Sequence, residues 1–217
     1  MRQVAENTVK KQRVPNAERR RNSIRSVLDS ALSLFVTQGY DSTSMDDVAG
    51  RAGLTKGAVY FYFKDKISLL YALLERSEAE LFEPIYDVIR SKRSSPTMRI
   101  VHLTSEFSRV GAEHKELALL HVVVSLEMHG RGNKVEERVQ QIYSRLHAEI
   151  SDVLREGQAG GEFASTISPE YQASVIIALI DGLLLEWHRR GDILDGKQLA
   201  RSARTMILNG VTTNGAR

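Results

Sequence analysis

The sequence predicts an all-α fold of about nine helices. Apolar residues recur three and four apart along most of its 217 positions, the period of one helical face. No segment alternates apolar and polar residues over the length of a strand. Two of the four prolines follow serine, at Ser95-Pro96 and Ser168-Pro169, a pair that suits a cap and first turn.

Each element can be justified in order. Residues 1–15 are polar, aperiodic and end at Pro15, and read as a disordered basic arm. A helix follows from Ala17, with Asn16 as its cap and Ile24, Val27, Leu28, Ala31, Leu34 and Phe35 on one face. Gly39 suits its left-handed end. Two short helices lie between Thr43 and Phe63. Residues 67–90 carry Ile67, Leu70, Leu74, Leu81, Ile85 and Val88, with Pro84 as a kink or break. Helices over 97–112, 115–129 and 133–156 come next. The helix over 115–129 is apolar nearly all round and should be central. Gly157, Gly160 and Gly161 mark a loop, and Gly191 to Gly196 another. Helices over 169–189 and 197–209 complete the fold, before a tail at 211–217.

The chain has no cysteine, which excludes disulfides, thiolate metal sites and a cysteine nucleophile. Its start has no apolar run, and its longest uncharged apolar stretch, Leu117 to Leu126, is far below the roughly 20 residues of a membrane span. A soluble, cytoplasmic protein with no membrane partner is expected. Residues 1–66 hold 12 Lys/Arg against 7 Asp/Glu, whereas residues 67–217 hold 18 against 20. The whole positive excess lies in the first third, which suggests that this part meets a polyanion.

Residues 43–63 carry the functional signal. Thr43 or Ser44 can cap a short helix, and Asp46 and Asp47 suit its positive first turn. Gly53 allows a tight turn, and Thr55 caps a second helix whose Val59 and Phe63 point inward. Two short helices joined by a glycine turn form a helix-turn-helix, whose second helix enters the DNA major groove. With Val59 and Phe63 inward, Tyr60, Phe61 and Tyr62 must face elsewhere. Tyrosine hydroxyls can donate to phosphate, and Phe61 can pack on a thymine methyl. Gly57 would let a phosphate approach backbone amides. Lys56, Lys66, Arg19, Arg20, Arg21 and Arg25 would neutralise phosphates.

The run Gly39-Tyr40, Thr43-Ser44, Val48-Ala49, Ala52 to Gly57, Val59-Tyr60, Tyr62-Phe63, Lys66 and Leu69-Leu70 resembles the N-terminal domain of TetR-type transcriptional repressors, over about residues 20–70. The resemblance implies a homodimeric, all-α regulator. A helix-turn-helix domain at 16–66 would bind a near-palindromic double-stranded operator. A helical domain at 67–210 would hold an inducer and make the dimer interface. Carried over by position, the DNA contacts would fall on Ser44, Met45, Thr55, Lys56, Gly57, Ala58, Tyr60, Phe61, Tyr62 and Lys66. Met45 departs from the small hydroxyl residue common there. The stretch Leu179 to Gly191 looks like the interface helix of some members.

The residues of that helix can be read independently. Val175, Leu179, Leu183 and Trp187 form one stripe, beside Gly182. Paired across a two-fold axis with Leu199, Ala203, Met206 and Ile207, they would make a four-helix interface, or else an internal core stripe. Phe107, His121, Met128, Tyr143, His147 and Trp187 lie on or near apolar stripes and could line a pocket for a small apolar or aromatic inducer, or be plain core. The six histidines lack metal spacing, and no nucleophile elbow or phosphate loop occurs. No enzyme, metal or cofactor is expected. A DNA-binding regulator without an inducer stays open, and would be favoured by a filled C-terminal core.

Overall fold

A computed structural model of the protein describes residues 16–191 and 193–212. The expected arm at 1–15 and most of the tail lie outside them. Ten α-helices run in order: α1 (Asn16–Gln38), α2 (Met45–Ala52), α3 (Lys56–Tyr62), α4 (Lys66–Ser77), α5 (Glu83–Arg90), α6 (Pro96–Glu113), α7 (Lys115–Glu127), α8 (Lys134–Ala159), α9 (Pro169–Arg190) and α10 (Gly196–Val211). A π-helical turn, Glu78–Phe82, joins α4 to α5. Counted as one rod, α4 to α5 leaves nine helices among the described residues.

The helix ends follow local chemistry. Ser44 and Asp47 form a reciprocal capping box at α2, and Gly53 closes it with φ +66°. Thr43, the alternative cap, is buried with its hydroxyl on the Gly39 carbonyl. Asp65 and Ser68 form a second box at α4. Ser95 and Ser168 cap α6 and α9, each followed by proline. Asn16 is the first residue of α1 rather than a cap ahead of it.

Pro84 neither breaks nor visibly ends the rod. Proline lacks the N–H that would bond to residue i−4, and its ring crowds that carbonyl. The π turn just before it absorbs the misfit, with the Glu83 amide bonding to the Glu78 carbonyl five residues back.

A single apolar core runs from α1 to α10. Val27, Ala31, Phe35, Val48 and Val59 close the three-helix head, and Leu69, Leu70, Leu73 and Leu74 of α4 continue it into the larger domain. α7 is central as expected: Leu117, Leu119, Leu120, Val122 and Val124 are buried, as is His121. Of its large apolar residues only Leu126, near its end, is largely exposed. Ile67 was expected inside but is half exposed, because α4 begins beyond the edge of the head.

Gly157 is not a loop residue. It lies within α8, where the Phe163 ring rests on its Cα, so that a Cβ would come within 2.2 Å of the ring. Phe163 is fully buried by this contact. Gly157→Ala should therefore lower stability by about 1–3 kcal/mol, read as a reduced urea midpoint. Gly182→Ala, at an exposed helical site with no atom near the new Cβ, should not lower it.

Candidate nucleic-acid interface and an internal cavity

α2 and α3 present one continuous exposed face. Phe61 is 78% exposed and Tyr60 44%, while Tyr62 is half buried and meets Phe61 edge-on at 5.3 Å. Nothing in the fold uses the Phe61 ring, and an exposed aromatic pair at the end of a recognition helix is an apolar surface awaiting contact. Gly57 has open space where a Cβ would stand, so no internal packing demands glycine there. Thr55 caps α3 through the Ala58 amide at 3.2 Å. Ser44 is exposed, but its hydroxyl already serves Asp47. Lys56 pairs with Asp46 at 2.9 Å across the two helices. Arg19, Arg20, Arg21 and Arg25 are exposed on the first turns of α1, and no ion pair holds them among the described residues.

Two expected contacts are corrected. Met45 is only 7% exposed and belongs to the core of the head, so its side chain cannot reach a phosphate. A longer apolar side chain folds inward where a small hydroxyl residue would stay at the surface. Lys66 is committed inside the protein: its Nζ donates to the carbonyls of Tyr40 at 2.6 Å, Thr43 at 2.8 Å and Asp41 at 3.3 Å, and lies 4.2 Å from the Tyr40 ring centre. Burial pushes its pKa down. It holds the α1–α2 turn and has no donor left for a phosphate.

The same turn is gripped from the other side. Glu127, at the end of α7, accepts the Tyr40 amide at 2.8 Å. Gly39, with φ +87°, brings the backbone so close to Glu127 that a Cβ would lie 2.6 Å from its Oε1. Arg131 makes a two-pronged pair with Asp41, and its hydrogen bonds hold the Asp41 carboxyl below its ordinary range.

Above this latch lies a cavity of about 550 Å³, inside the 300–1,000 Å³ span of small-molecule sites. The π turn supplies Leu81 and Phe82, α6 supplies Phe107, α7 supplies His121, α8 supplies Tyr143 and α9 supplies Asp181 and Trp187. Four of the six expected pocket residues are therefore brought together: Phe107, His121, Tyr143 and Trp187. The other two are not. Met128 is buried in the core, and His147, one turn further along α8 on the same side as Tyr143, bonds the Glu170 carbonyl and the Ser174 hydroxyl of α9, outside the cavity lining. Among the lining residues that sequence reasoning missed, Asp181 carries a carboxyl with a displaced pKa. Its signal was a carboxylate inside an otherwise apolar run, Leu179 to Leu185.

The polar groups in the wall are few and perturbed. His121 is fully buried, which lowers its pKa to about 4. Asp181 is raised to about 6 by burial, against the opposing effect of the Tyr143 hydroxyl at 3.4 Å. Burial also raises the Tyr143 phenol.

The expected interface stripe is also corrected. Leu183, Leu199, Ala203 and Ile207 line the cavity, and Leu179 packs on the core. Of the residues proposed for pairing, Val175 is 66% exposed, Gly182 is open and Met206 is exposed. Val175 and Gly182 belong to a different face of α9, running through Tyr171, Val175, Ala178 and Gly182, and Met206 is on α10.

The two buried groups pull stability in opposite directions with pH. His121 takes up a proton more readily unfolded than folded. Its contribution is complete above about pH 6.5 and falls as the pH drops towards 4. Asp181 holds its proton more tightly folded. Its contribution is complete below about pH 4 and is lost as the pH rises through 6. Asp181→Asn should therefore raise stability at pH 7 by about 1–3 kcal/mol, read as a higher urea midpoint, and have little effect at pH 4. His121→Leu should flatten the acid limb instead.

Comparison with known proteins agrees with this geometry. Residues 27–73 match the description "Bacterial regulatory proteins, tetR family", and residues 118–210 match "BetI-type transcriptional repressor, C-terminal". The crystal structure of the MbdR regulator from Azoarcus sp. CIB is similar at 35% identity, with a TM-score of 0.80 over 87% of this chain and 98% of that one. The HTH-type transcriptional regulator SrpR of Pseudomonas putida is 28% identical over 76% of this chain and 75% of its own. The fold is shared with FadR from Bacillus subtilis, solved in complex with stearoyl-CoA, at 21% identity and a TM-score of 0.69 over 86% of this chain and 98% of that one. These relatives are regulators rather than enzymes, and the chain belongs to the TetR family of bacterial transcriptional regulators.

Proposed function

We propose that this regulator is an effector-responsive repressor that binds a near-palindromic operator as a homodimer and is released by a small apolar or aromatic inducer. The observation that carries the reading is the cavity of about 550 Å³, whose wall includes α7, the helix that also grips the α1–α2 turn. A regulator without an inducer has no need of such a void, because unfilled apolar volume is destabilising.

Residues 16–66 act as the reading head and residues 67–210 as the sensor. Ser44, Thr55, Gly57, Ala58, Tyr60, Phe61 and Tyr62 make the contacts of α2 and α3 with DNA. Lys56 and the arginines of α1 neutralise phosphates. The homodimer forms through the exposed face of α9, where Tyr171, Val175 and Gly182 leave an apolar strip beside Met206 of α10. α7 carries His121 in the cavity wall and Glu127 on the Tyr40 amide. An effector that displaces α7 shifts the α1–α2 turn, and with it the spacing of the two recognition helices. By linkage, operator DNA weakens effector binding by the same factor.

The test is fluorescence anisotropy with DNA flanking the protein's own gene, at several salt concentrations, against scrambled DNA of equal length. The reading expects a preference of about 10³-fold or more, abolished by an apolar compound that raises the thermal midpoint. Equal binding to both DNAs, with no such compound in a broad aromatic panel, would overturn it. Within that assay, Arg25→Ala should lower the slope of log affinity on log salt by about one. Lys66→Met should leave the slope unchanged while lowering stability by about 1–3 kcal/mol, because it strips a donor from three carbonyls. Val175→Glu should convert the dimer to monomers in sedimentation and weaken operator binding with it.

A further inference from the structure

Among the described lining residues three are exposed: Ala112 near the end of α6, and Asp195 and Lys197 at the start of α10. The cavity therefore meets solvent where these two helix ends come together. The rim on the α6 side is small and uncharged, through Thr104, Ser108, Gly111 and Ala112.

The α10 side is positive. Lys197, Arg201 and Arg204 fall four and three residues apart, on one edge of the helix. That edge faces α6, because Arg204 Nη1 donates to the Ser105 hydroxyl at 3.4 Å. Met206 lies half a turn round the helix from Lys197, so a dimer through Met206 leaves this edge open. None of the three cations has a carboxylate partner among the described residues, which sets them apart. Every other described arginine beyond residue 66, except Arg93, is paired with an aspartate or glutamate. The acids beside the mouth do not answer them. Glu106 and Glu113 of α6 are both held by Arg109, and Asp195 accepts the Lys197 amide at 2.9 Å as the cap of α10. Exposed cations at the rim of an apolar cleft focus its field and draw anions to it.

We propose that Lys197, Arg201 and Arg204 form an anion subsite at the cavity mouth, and that the effector is an amphiphile whose apolar body fills the cavity while its phosphate stays outside on these cations. This rests on the cavity being the effector site. Cations spread over two turns of helix suit a group with several charged oxygens. At the mouth a phosphate keeps part of its hydration, and so escapes the cost that the apolar interior imposes on an anion. The Asp181 carboxyl inside the wall opposes an anion there, which fixes the end of the molecule that enters.

Three probes with one apolar body test this by calorimetry on the full chain: decyl phosphate, decanol and decyltrimethylammonium, each below its micelle range. Wild-type protein should bind decyl phosphate about tenfold more tightly than decanol, and the ammonium most weakly. Added potassium chloride should erode the advantage of the phosphate and spare decanol. Arg201→Gln with Arg204→Gln should weaken decyl phosphate about fivefold and leave decanol unchanged. Neither arginine is buried or ion-paired, so this variant keeps its fold. Arg93→Gln removes the remaining unpaired arginine, in the turn before α6, and should change neither affinity. That control separates a local site from net charge. Equal binding of phosphate and decanol, tightest binding of the ammonium, no effect of the double substitution, or an equal loss from Arg93→Gln would overturn the subsite and leave the cavity as the effector site. Failure of all three to bind would overturn both.

Discussion

The turn between α1 and α2 depends on one ammonium group. Lys66 Nζ gathers the carbonyls of Tyr40, Asp41 and Thr43, and places its charge over the Tyr40 ring. These carbonyls belong to a tight connection that no helix or strand ladder satisfies, so an internal donor must do so. Lys66 is also the first residue of α4. The orientation of the head is thereby tied to the rod that runs through Leu69–Leu74 into the larger domain and on, across the π turn, to the cavity. Glu127, at the end of α7, and Arg131, in the turn after it, grip two of the same three residues, Tyr40 and Asp41. Two elements that touch the cavity therefore converge on one turn of the head.

The head was readable because its signals are local. Ser44 with Asp47, Gly53 at a positive φ and Thr55 before α3 each fix a helix end through residues a few positions apart. The apolar helix at 115–129 announced its own burial. Lys66 misled for the same reason: a lysine beside a recognition helix looks like a phosphate ligand until the carbonyls it meets, more than twenty residues earlier, are in place. Met45 misled because family position carried more weight than its apolar side chain.

α9 exposes a different limit. It is apolar on two faces, one through Leu183 and Trp187 and one through Val175 and Gly182. Periodicity finds both stripes, but only packing decides which one the chain itself covers. A void is harder still to read, since Met128 and Phe107 have similar sequence surroundings and only one of them borders empty space. The π turn is legible only in part. Proline announces a misfit, but whether a helix kinks, ends or widens is settled by what lies beside it.

The cavity is where the fold gives up stability. His121 is held neutral by burial with one nitrogen unpaired, and Asp181 is held where its ionised form is disfavoured. A leucine at either position would suit the surrounding apolar wall better. Under the proposed reading, an effector that pairs the buried Asp181 carboxyl offsets part of this cost. The Leu81–Phe82 segment of that wall is π-helical, and a π turn is a weaker, less regular ladder than the helices on either side. The least regular segment of the rod thus borders the cavity, between α4, bound to the head, and α5, packed in the larger domain. If the cavity is the effector site, as proposed, displacement there is taken up first by this turn, and the remainder passes along α4 to Lys66.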